Sequence, residues 1–346
     1  MSKKQKTPFG IFAEALNLYF SNFSRFTSYM TFPVLGQIVG LLLVFGLTYF
    51  YAKNMPVLMD KIPTLNSLPV ILGTIILLTL PGLIIFVKAF WEFLVAYGAI
   101  NSMVENLLKS GKVYDFDAHT ELIKRRTIPF VGLWLLVGIF SLVAICPLMW
   151  IICGVFAIFF VLIFQVFTYE PELSPFDCVR QSFHLTKGHF ASTFLLISMV
   201  GALTYVLLPH LVDFLFQYLH LSNALVMVTL PFFELLPINE LNATLASFYL
   251  PAIKIEDIAM LIVSTFVAQV VIQYTLPLRS ILWALWYRQL NGFKFGNNQE
   301  IKTAKSRKKS AKRPSEKLME ESHKKFASKK IDRNILKRAM EKDEND

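Results

Sequence analysis

The sequence predicts an all-α, polytopic membrane protein with about six transmembrane helices and two cytoplasmic interfacial helices. Hydrophobic residues make up 55% of the 346 residues and charged residues only 17%, a balance typical of membrane proteins. Several apolar runs reach about 20 residues, which is long enough to cross a hydrocarbon core about 30 Å thick. A polar, amphipathic segment near residue 175 also has a counterpart near the N-terminus. A soluble chain of this length has no core large enough to bury all of these runs.

The apolar runs predict six spans, at residues 28–51, 69–92, 128–147, 148–168, 190–209 and 257–280. The third and fourth spans come from one continuous apolar stretch that is too long for a single crossing. Pro147 is the natural place for that stretch to turn, because proline interrupts a helix. We therefore expect a tight hairpin with almost nothing outside the bilayer.

Positive charge in the connections predicts the sidedness of the chain. Lys and Arg concentrate before the first span and in the connections 101–127 and 169–189, whereas the alternating connections hold only Lys53, Lys61 and Lys254. Because retained loops carry the excess of Lys and Arg, both termini are predicted to lie in the cytoplasm.

The segment 210–256 is apolar but is interrupted by prolines, including Pro231, Pro237 and Pro251. We expect an amphipathic cap on the extracytoplasmic surface, and a re-entrant dip stays open. A seventh span here would place the tail on the other side of the membrane.

A short polar helix is predicted at residues 175–187. Ser174 suits the N-cap, Pro175 the first helical position, Asp177 completes a capping box, and Gly188 suits the C-terminal end. An apolar face carries Phe176, Val179, Phe183 and Thr186, and a polar face carries Asp177, Arg180, Gln181 and His184. This pattern favours an interfacial helix with its aromatic rings in the acyl boundary.

A shift of 167 residues superimposes this helix on the N-terminal segment. Phe9, Leu16, Leu18 and Phe23 then coincide with Phe176, Phe183, Leu185 and Phe190. The second and sixth spans also share a Thr-Leu-Pro tripeptide, at 79–81 and 275–277. We predict two parallel repeats around the inserted hairpin, an arrangement that also occurs in transporters. The predicted regions are an interfacial segment 1–27, a transmembrane domain 28–292 and a basic, partly disordered tail 293–346.

Glu172, Ser182, Leu185, Lys187 and Gly188 form a motif that resembles one of a known family. The motif is similar to the signature of the glycerophosphoryl diester phosphodiesterase membrane-domain family and of the YciC-type bacterial inner-membrane proteins. The resemblance extends over about residues 8–292, with the departures of Cys178 and the basic tail. It implies a multi-pass bacterial inner-membrane protein. The phosphodiesterase barrel that accompanies this domain in some members is not found here, so no catalytic residue carries over.

Charged residues within spans are candidate functional residues, because lipid penalises them. Lys88 and Glu92 are four residues apart and are expected to pair with each other. Arg279 lies close to Trp283 and Trp286 in the sequence and is expected to anchor in lipid headgroups, within an aromatic belt.

Three glutamines, Gln165, Gln269 and Gln273, are expected to form hydrogen bonds between helices. Pro81 and Pro277 are expected to kink the returning spans and to free a carbonyl group. In a transporter, a cavity at membrane depth would be lined by Gln269, Gln273 and these kinks.

The sequence shows no phosphate-binding loop, zinc signature, catalytic triad or paired-carboxylate motif. We therefore expect no enzymatic activity, no catalytic residue, no metal ligand and no cofactor.

The tail is strongly basic: residues 288–346 hold 18 Lys and Arg against 9 Asp and Glu. The densest part provides the candidate contacts to anionic lipid, Lys302, Lys305, Arg307, Lys308, Lys309, Lys312 and Arg313. Each such charge contributes about 1 kcal/mol of attraction to an anionic membrane surface. A topology anchor and contact with ribosomal RNA are the alternatives.

Three functions stay open at this point. The sequence favours a structural or envelope-maintenance protein that contacts lipid headgroups. The alternatives are a transporter or channel with a path between the repeats, and an insertase-like helper whose tail contacts ribosomes. A membrane-protein partner or a homo-oligomer is compatible with each of them.

Overall fold

The computed structural model describes residues 6–62, 67–110, 116–233 and 237–291, and these residues contain helices and turns but no β-strand. The α-helices are α1 Pro8–Ser21, α2 Phe23–Lys61, α3 Leu68–Ser110, α4 Phe116–Lys124, α5 Thr127–Val143, α6 Trp150–Phe160, α7 Ile163–Tyr169, α8 Pro175–Lys187, α9 Phe190–Gly201, α10 Leu208–Tyr218, α11 Leu221–Phe233, α12 Ile238–Ser247, α13 Ile255–Tyr274 and α14 Leu276–Leu290. A 3₁₀ turn at Pro147–Met149 precedes α6, and a π-helical segment at Ala202–Leu207 joins α9 to α10. The predicted all-α class is confirmed.

Several helices are long and apolar enough to cross a membrane. Five helical runs in the described part of the chain meet this condition: Phe23–Lys61, Leu68–Leu108, Pro147–Tyr169, Phe190–Tyr218 and Ile255–Leu290. Two bent pairs, α4 with α5 at 78° and α11 with α12 at 89°, raise the number to seven if each pair counts as one span. The protein is therefore a polytopic membrane protein, and the predicted six spans lie within this range.

Two predicted spans are interrupted where they meet the protein core. The span 148–168 breaks between α6 and α7, and the span 257–280 breaks at Thr275 between α13 and α14. Pro277 therefore lies in the first turn of α14, where its missing N–H is tolerated, and not inside a continuous helix as expected. Pro81 does lie inside α3.

The long helix α3 has two halves with different surroundings. At about 1.5 Å per residue its 43 residues extend about 65 Å, roughly twice the hydrocarbon thickness. Residues 68–90 are largely exposed, whereas Val95, Ala99 and Met103 are fully buried. The C-terminal half packs against α4, α7 and α14. The main core therefore lies at the end of the bundle where α1, α4 and α8 are also found.

Helices α2 and α3 form an antiparallel pair with a very close approach at three glycines. A Cβ atom added at Gly40 would lie 2.6 Å from the backbone nitrogen of Phe86, and one added at Gly82 would lie 2.8 Å from the Gly40 carbonyl oxygen. Gly36 lies one turn before Gly40 and is similarly close to Ala89. Such small-residue contacts allow helix backbones to pack closely within lipid.

The predicted repeat of the interfacial helices is confirmed by the helix positions. The helices α1 and α8 begin at Pro8 and Pro175, 167 residues apart, and α2 and α9 begin with the same separation. Their N-caps correspond as well, because Thr7 and Ser174 each accept a hydrogen bond from a first-turn backbone N–H. The buried positions repeat in the same register: Ile11, Ala15 and Tyr19 in α1, and Cys178, Ser182 and Thr186 in α8.

The face of α8 that packs on the protein is formed by small residues: Cys178 and Ser182 are fully buried, whereas Phe176 is 72% exposed. The predicted position of the aromatic rings in the acyl boundary stays a prediction. The small residues pack against the neighbouring break between α6 and α7. The Ser182 hydroxyl accepts a hydrogen bond from the Leu162 N–H at 3.3 Å and donates one to the Phe159 carbonyl at 2.6 Å.

Candidate intramembrane site

A cavity of about 550 Å³ lies between the α5–α6 hairpin, α7, α8 and α14. Its walls are mostly apolar and include Leu136, Val137, Phe140, Phe160, Phe164 and Trp283. Ile139 and Phe176 line the cavity as well and are 60% and 72% exposed, so the cavity opens sideways through the surface of the bundle. Its volume is within the range of small-molecule sites.

Arg279, in the first turn of α14, is the charged side chain of this cavity. The residue is only 8% exposed. Its Nη2 donates a hydrogen bond to the Ile272 carbonyl at 2.9 Å, and its Nη1 donates one to the Tyr205 hydroxyl. The guanidinium carbon lies 4.9 Å from the centre of the Tyr205 ring. The Nε atom has no partner and no carboxylate forms an ion pair with Arg279 among the described residues.

The break between α13 and α14 explains how Arg279 reaches this position. The Ile272 carbonyl also accepts a hydrogen bond from the Thr275 hydroxyl at 2.8 Å, and the Tyr274 carbonyl accepts one from the Tyr19 hydroxyl at 3.3 Å. Carbonyl groups that a proline-containing break releases are thus bound by the chain's own side chains.

Gln165, on α7, provides a second polar group to the cavity and is 3% exposed. Its Nε2 donates a hydrogen bond to Asn101 Oδ1 at 3.2 Å, and Asn101 Nδ2 donates to the Tyr97 carbonyl at 2.9 Å. The Tyr97 carbonyl only accepts, so it fixes the orientation of Asn101, which in turn fixes that of Gln165. Gln165 Oε1 is left without a partner in the described structure.

Partly buried hydrogen bonds hold these elements together behind the cavity. The Tyr169 hydroxyl donates to the Asn101 carbonyl at 2.9 Å, and the Tyr287 hydroxyl donates to Glu170 Oε1 at 2.5 Å. Asn291 Nδ2 donates to the Tyr287 hydroxyl at 2.8 Å. The α7 and α14 backbones are therefore tied to α3 and to each other, which fixes the positions of Gln165 and Arg279.

A second cavity of about 460 Å³ adjoins the first one. It lies between α3 and α5, and Tyr97 lines both cavities. Its other walls are apolar or aromatic, and Trp134 Nε1 is buried there without a partner among the described residues. The two cavities form neighbouring apolar recesses around Tyr97.

The predicted exposed aromatic belt around Arg279 is wrong. Trp283, Trp286 and Tyr287 are all buried, because α14 is enclosed by α1, α3, α7 and α8. Trp286 Nε1 donates a hydrogen bond to the Thr193 hydroxyl at 3.0 Å. Arg279 therefore lies inside the protein.

The predicted Lys88–Glu92 ion pair is also wrong. Glu92 Oε1 lies 2.6 Å from Lys124 Nζ, because α4 packs back against α3. Lys88 is exposed, and its Nζ lies 5.5 Å from the centre of the Phe32 ring. Both residues lie outside the two cavities.

The predicted transporter residues do not come together. Gln269 is exposed and Gln273 is half-buried on α13, and neither makes an interhelical hydrogen bond among the described residues. Neither they nor Pro81 and Pro277 line the cavity at Arg279. Of the three glutamines, only Gln165 forms the expected bond to another helix.

Tyr97, Asn101 and Tyr205 were not predicted as site residues from the sequence. Tyr97 and Asn101 follow the predicted end of the second span, and Tyr205 looked like an ordinary residue of the fifth span. No local sequence pattern predicts that Tyr205 belongs to the site, because the position of its side chain depends on the π-helical segment. The candidate lipid contacts of the tail, residues 302–313, lie outside the described residues.

No group of three His, Cys, Asp or Glu residues in the described ranges could hold a metal ion.

No family model, curated protein or solved structure matches the chain. The resemblance to the phosphodiesterase membrane-domain family therefore stays a prediction.

Proposed function

We propose that this is a non-enzymatic protein of the bacterial inner membrane that binds an anionic lipid of the inner leaflet in the cavity at Arg279. Its role is structural or envelope-maintaining, and both termini lie in the cytoplasm. The Lys and Arg distribution and the family resemblance support this location. The basic tail adds attraction to the same anionic leaflet.

The observation that carries the proposal is the buried, unpaired charge of Arg279. Removing a guanidinium from water costs several kcal/mol unless an opposite charge compensates it. No carboxylate among the described residues provides that charge. A phosphate group would do so with charge-assisted hydrogen bonds, and the apolar walls would accept the acyl chain attached to it.

The position of Arg279 along the membrane normal also fits a lipid headgroup. The 20 residues of α13 extend about 30 Å and are sufficient to cross the hydrocarbon core alone. Arg279 follows the end of α13 by five residues, and Phe176 and Val179 of the interfacial helix α8 line the same cavity. These positions support a guanidinium near the boundary between acyl chains and headgroups.

Photo-crosslinking in native membranes tests the proposal. A phosphatidylglycerol analogue with a photoreactive group on the acyl chain is expected to label peptides that contain Ile139 or Phe176. Arg279→Gln should lose most of this labelling, whereas Lys88→Gln, which removes an exposed cation outside the cavity, should keep it. Equal labelling of both variants would contradict lipid binding at Arg279.

A transporter is the second candidate function, and the π-helical segment favours it. Such segments are frequent at functional sites, and Tyr205 within this one contacts Arg279. Movement of the segment would change access to the cavity. Proteoliposomes that contain the purified chain should then move lipid between leaflets faster than empty vesicles. An unchanged rate would contradict transport and would be compatible only with lipid binding.

An insertase-like role would depend on the tail. Deleting residues 300–346 should then reduce co-sedimentation with ribosomes. Unchanged co-sedimentation would exclude this role.

A further inference from the structure

Arg279 and Gln165 both line the cavity, and each has one buried polar atom, a donor and an acceptor respectively, without a partner among the described residues. On the basis of the proposed lipid site, we infer that its ligand is a singly charged phosphodiester lipid whose headgroup ends in a hydroxyl group, as in phosphatidylglycerol. The Arg279 Nε–H requires an acceptor, and Gln165 Oε1 requires a donor. A ligand that offers only one of the two leaves the other buried atom unsatisfied.

The donor requirement depends on the orientation of Gln165, and the neighbouring hydrogen bonds fix that orientation. If the Gln165 amide were reversed, Oε1 would face Asn101 Oδ1, and two acceptors would lie 3.2 Å apart. Asn101 cannot reverse in turn, because its Nδ2 donates to the Tyr97 carbonyl. The open atom of Gln165 is consequently an acceptor, and the ligand must bring a hydroxyl or ammonium donor.

The single positive charge of the site decides which of the ligands that bring a donor fits it. Arg279 brings one positive charge, and the described residues around the cavity include no other ionised group. A phosphodiester carries one negative charge and matches it. A terminal phosphomonoester carries about 1.5 to 2 negative charges at neutral pH, which would leave an excess in the apolar cavity. An ammonium donor would cancel the ligand's negative charge, and its own charge would be repelled by Arg279.

Access to the site depends on Tyr205. The two open atoms are shielded from solvent, and the half-exposed Tyr205 side chain contacts the guanidinium from the π-helical segment. Outward rotation of this side chain would free Arg279 Nη1 for a second bond to the phosphate. Tyr205 therefore acts as a cover on the headgroup position.

Native mass spectrometry of the full chain tests this inference. The purified protein is offered phosphatidylglycerol, phosphatidic acid, phosphatidylethanolamine and phosphatidylmethanol, all with the same acyl chains. Phosphatidylmethanol is the decisive probe, because it keeps the single charge and lacks the hydroxyl group. We expect phosphatidylglycerol to bind about five- to tenfold more tightly than phosphatidylmethanol, as one buried hydrogen bond predicts.

Substitutions at Gln165 and Arg279 test which side chain is responsible for the lipid preference. Gln165→Leu should abolish the preference over phosphatidylmethanol while anionic lipid still binds, and Gln269→Leu, an exposed glutamine outside the cavity, should keep it. Arg279→Gln should weaken all anionic lipids by about thirtyfold or more. The comparison of phosphatidylglycerol with phosphatidylmethanol uses only the unaltered protein, so its result does not depend on whether a variant folds.

The possible outcomes separate the two proposals. Equal binding of phosphatidylglycerol and phosphatidylmethanol overturns the headgroup inference but leaves lipid binding at Arg279 intact. Anionic lipid binding that Arg279→Gln does not weaken overturns both. Glycerophosphoglycerol and inorganic phosphate serve as soluble competitors, and displacement of the lipid at equal concentration would show that the ligand is a soluble phosphate compound.

Discussion

The Ser182 hydroxyl shows how a single buried side chain permits a break in a membrane helix. It binds the Leu162 N–H and the Phe159 carbonyl, which the break between α6 and α7 leaves without helical partners. Lipid offers such groups no alternative partner, so the hydroxyl must be provided by the protein.

Ser182→Ala is therefore expected to destabilise the protein by about 1–3 kcal/mol, the cost of leaving buried polar groups unpaired. Thermal unfolding in detergent measures the change. Ser141→Ala is the matched control, because the exposed Ser141 hydroxyl donates only to a carbonyl of its own helix, that of Val137. Equal loss of stability in the two variants would show that the break does not depend on Ser182.

Cys178 lies beside Ser182 on the buried face of α8, and burial raises the pKa of its thiol to about 11. Burial disfavours the thiolate, which is the form that reacts with alkylating agents. We expect slow alkylation near neutral pH and a rate that rises as the pH approaches 11. A cysteine at the exposed position His184, in a Cys178→Ser background, should react much faster near neutral pH. Equal rates would mean that α8 does not bury Cys178.

At the scale of elements, the α2–α3 pair depends on the absence of side chains at its glycines. Gly40→Ala places a Cβ atom 2.6 Å from the Phe86 backbone nitrogen, so the helices must separate. A cost of about 1–3 kcal/mol is expected for such overpacking. Gly46→Ala is the control in the same helix, because its Cβ meets nothing within 4 Å. If both variants unfold at the same temperature, the close approach contributes nothing to stability.

Local signals determined which elements the sequence could predict. The bounds of α8 were predicted correctly, because Ser174, Asp177 and Gly188 lie within one short segment. The hairpin turn at Pro147 was predictable for the same reason. In contrast, the break between α6 and α7 contains neither proline nor glycine and depends on Ser182, 20 residues away. Such tertiary causes leave no local pattern.

The extension of α3 beyond residue 92 was missed because hydropathy detects only the part of a helix within lipid. Residues 93–110 continue the helix into the protein core, where Asn101 and Ser102 are buried. The true partner of Glu92 was missed for a related reason. Lys124 approaches it because α4 packs back against α3.

At the scale of the whole molecule, the sequence identified Gln165 and Arg279 as candidates but did not show that they line one cavity. They were candidates because polar groups in apolar runs are unusual. They are 114 positions apart, and packing of α7, α8 and α14 brings them to the same cavity. Gln269 satisfied the same criterion and proved to be exposed, since the sequence does not reveal which face of α13 is turned to lipid.

The proposed topology places α1, α8 and the tail on the cytoplasmic side. Single cysteines at Val57, His184, Glu240 and Glu320, in a chain without its three native cysteines, test this arrangement. An impermeant maleimide applied outside intact cells should label positions 57 and 240 only. Labelling of position 184 from outside would reverse the orientation and would place the cavity in the outer leaflet.

If Arg279 holds an anionic lipid inside the protein, as proposed, that lipid should co-purify with the chain. The intact chain is extracted in mild detergent and washed extensively, and the phospholipid that remains is quantified for the unaltered protein, Arg279→Gln and Lys88→Gln. The unaltered protein and Lys88→Gln should retain anionic phospholipid, whereas Arg279→Gln, although folded, should lose it. Equal anionic phospholipid in all three preparations would show that Arg279 does not hold the lipid.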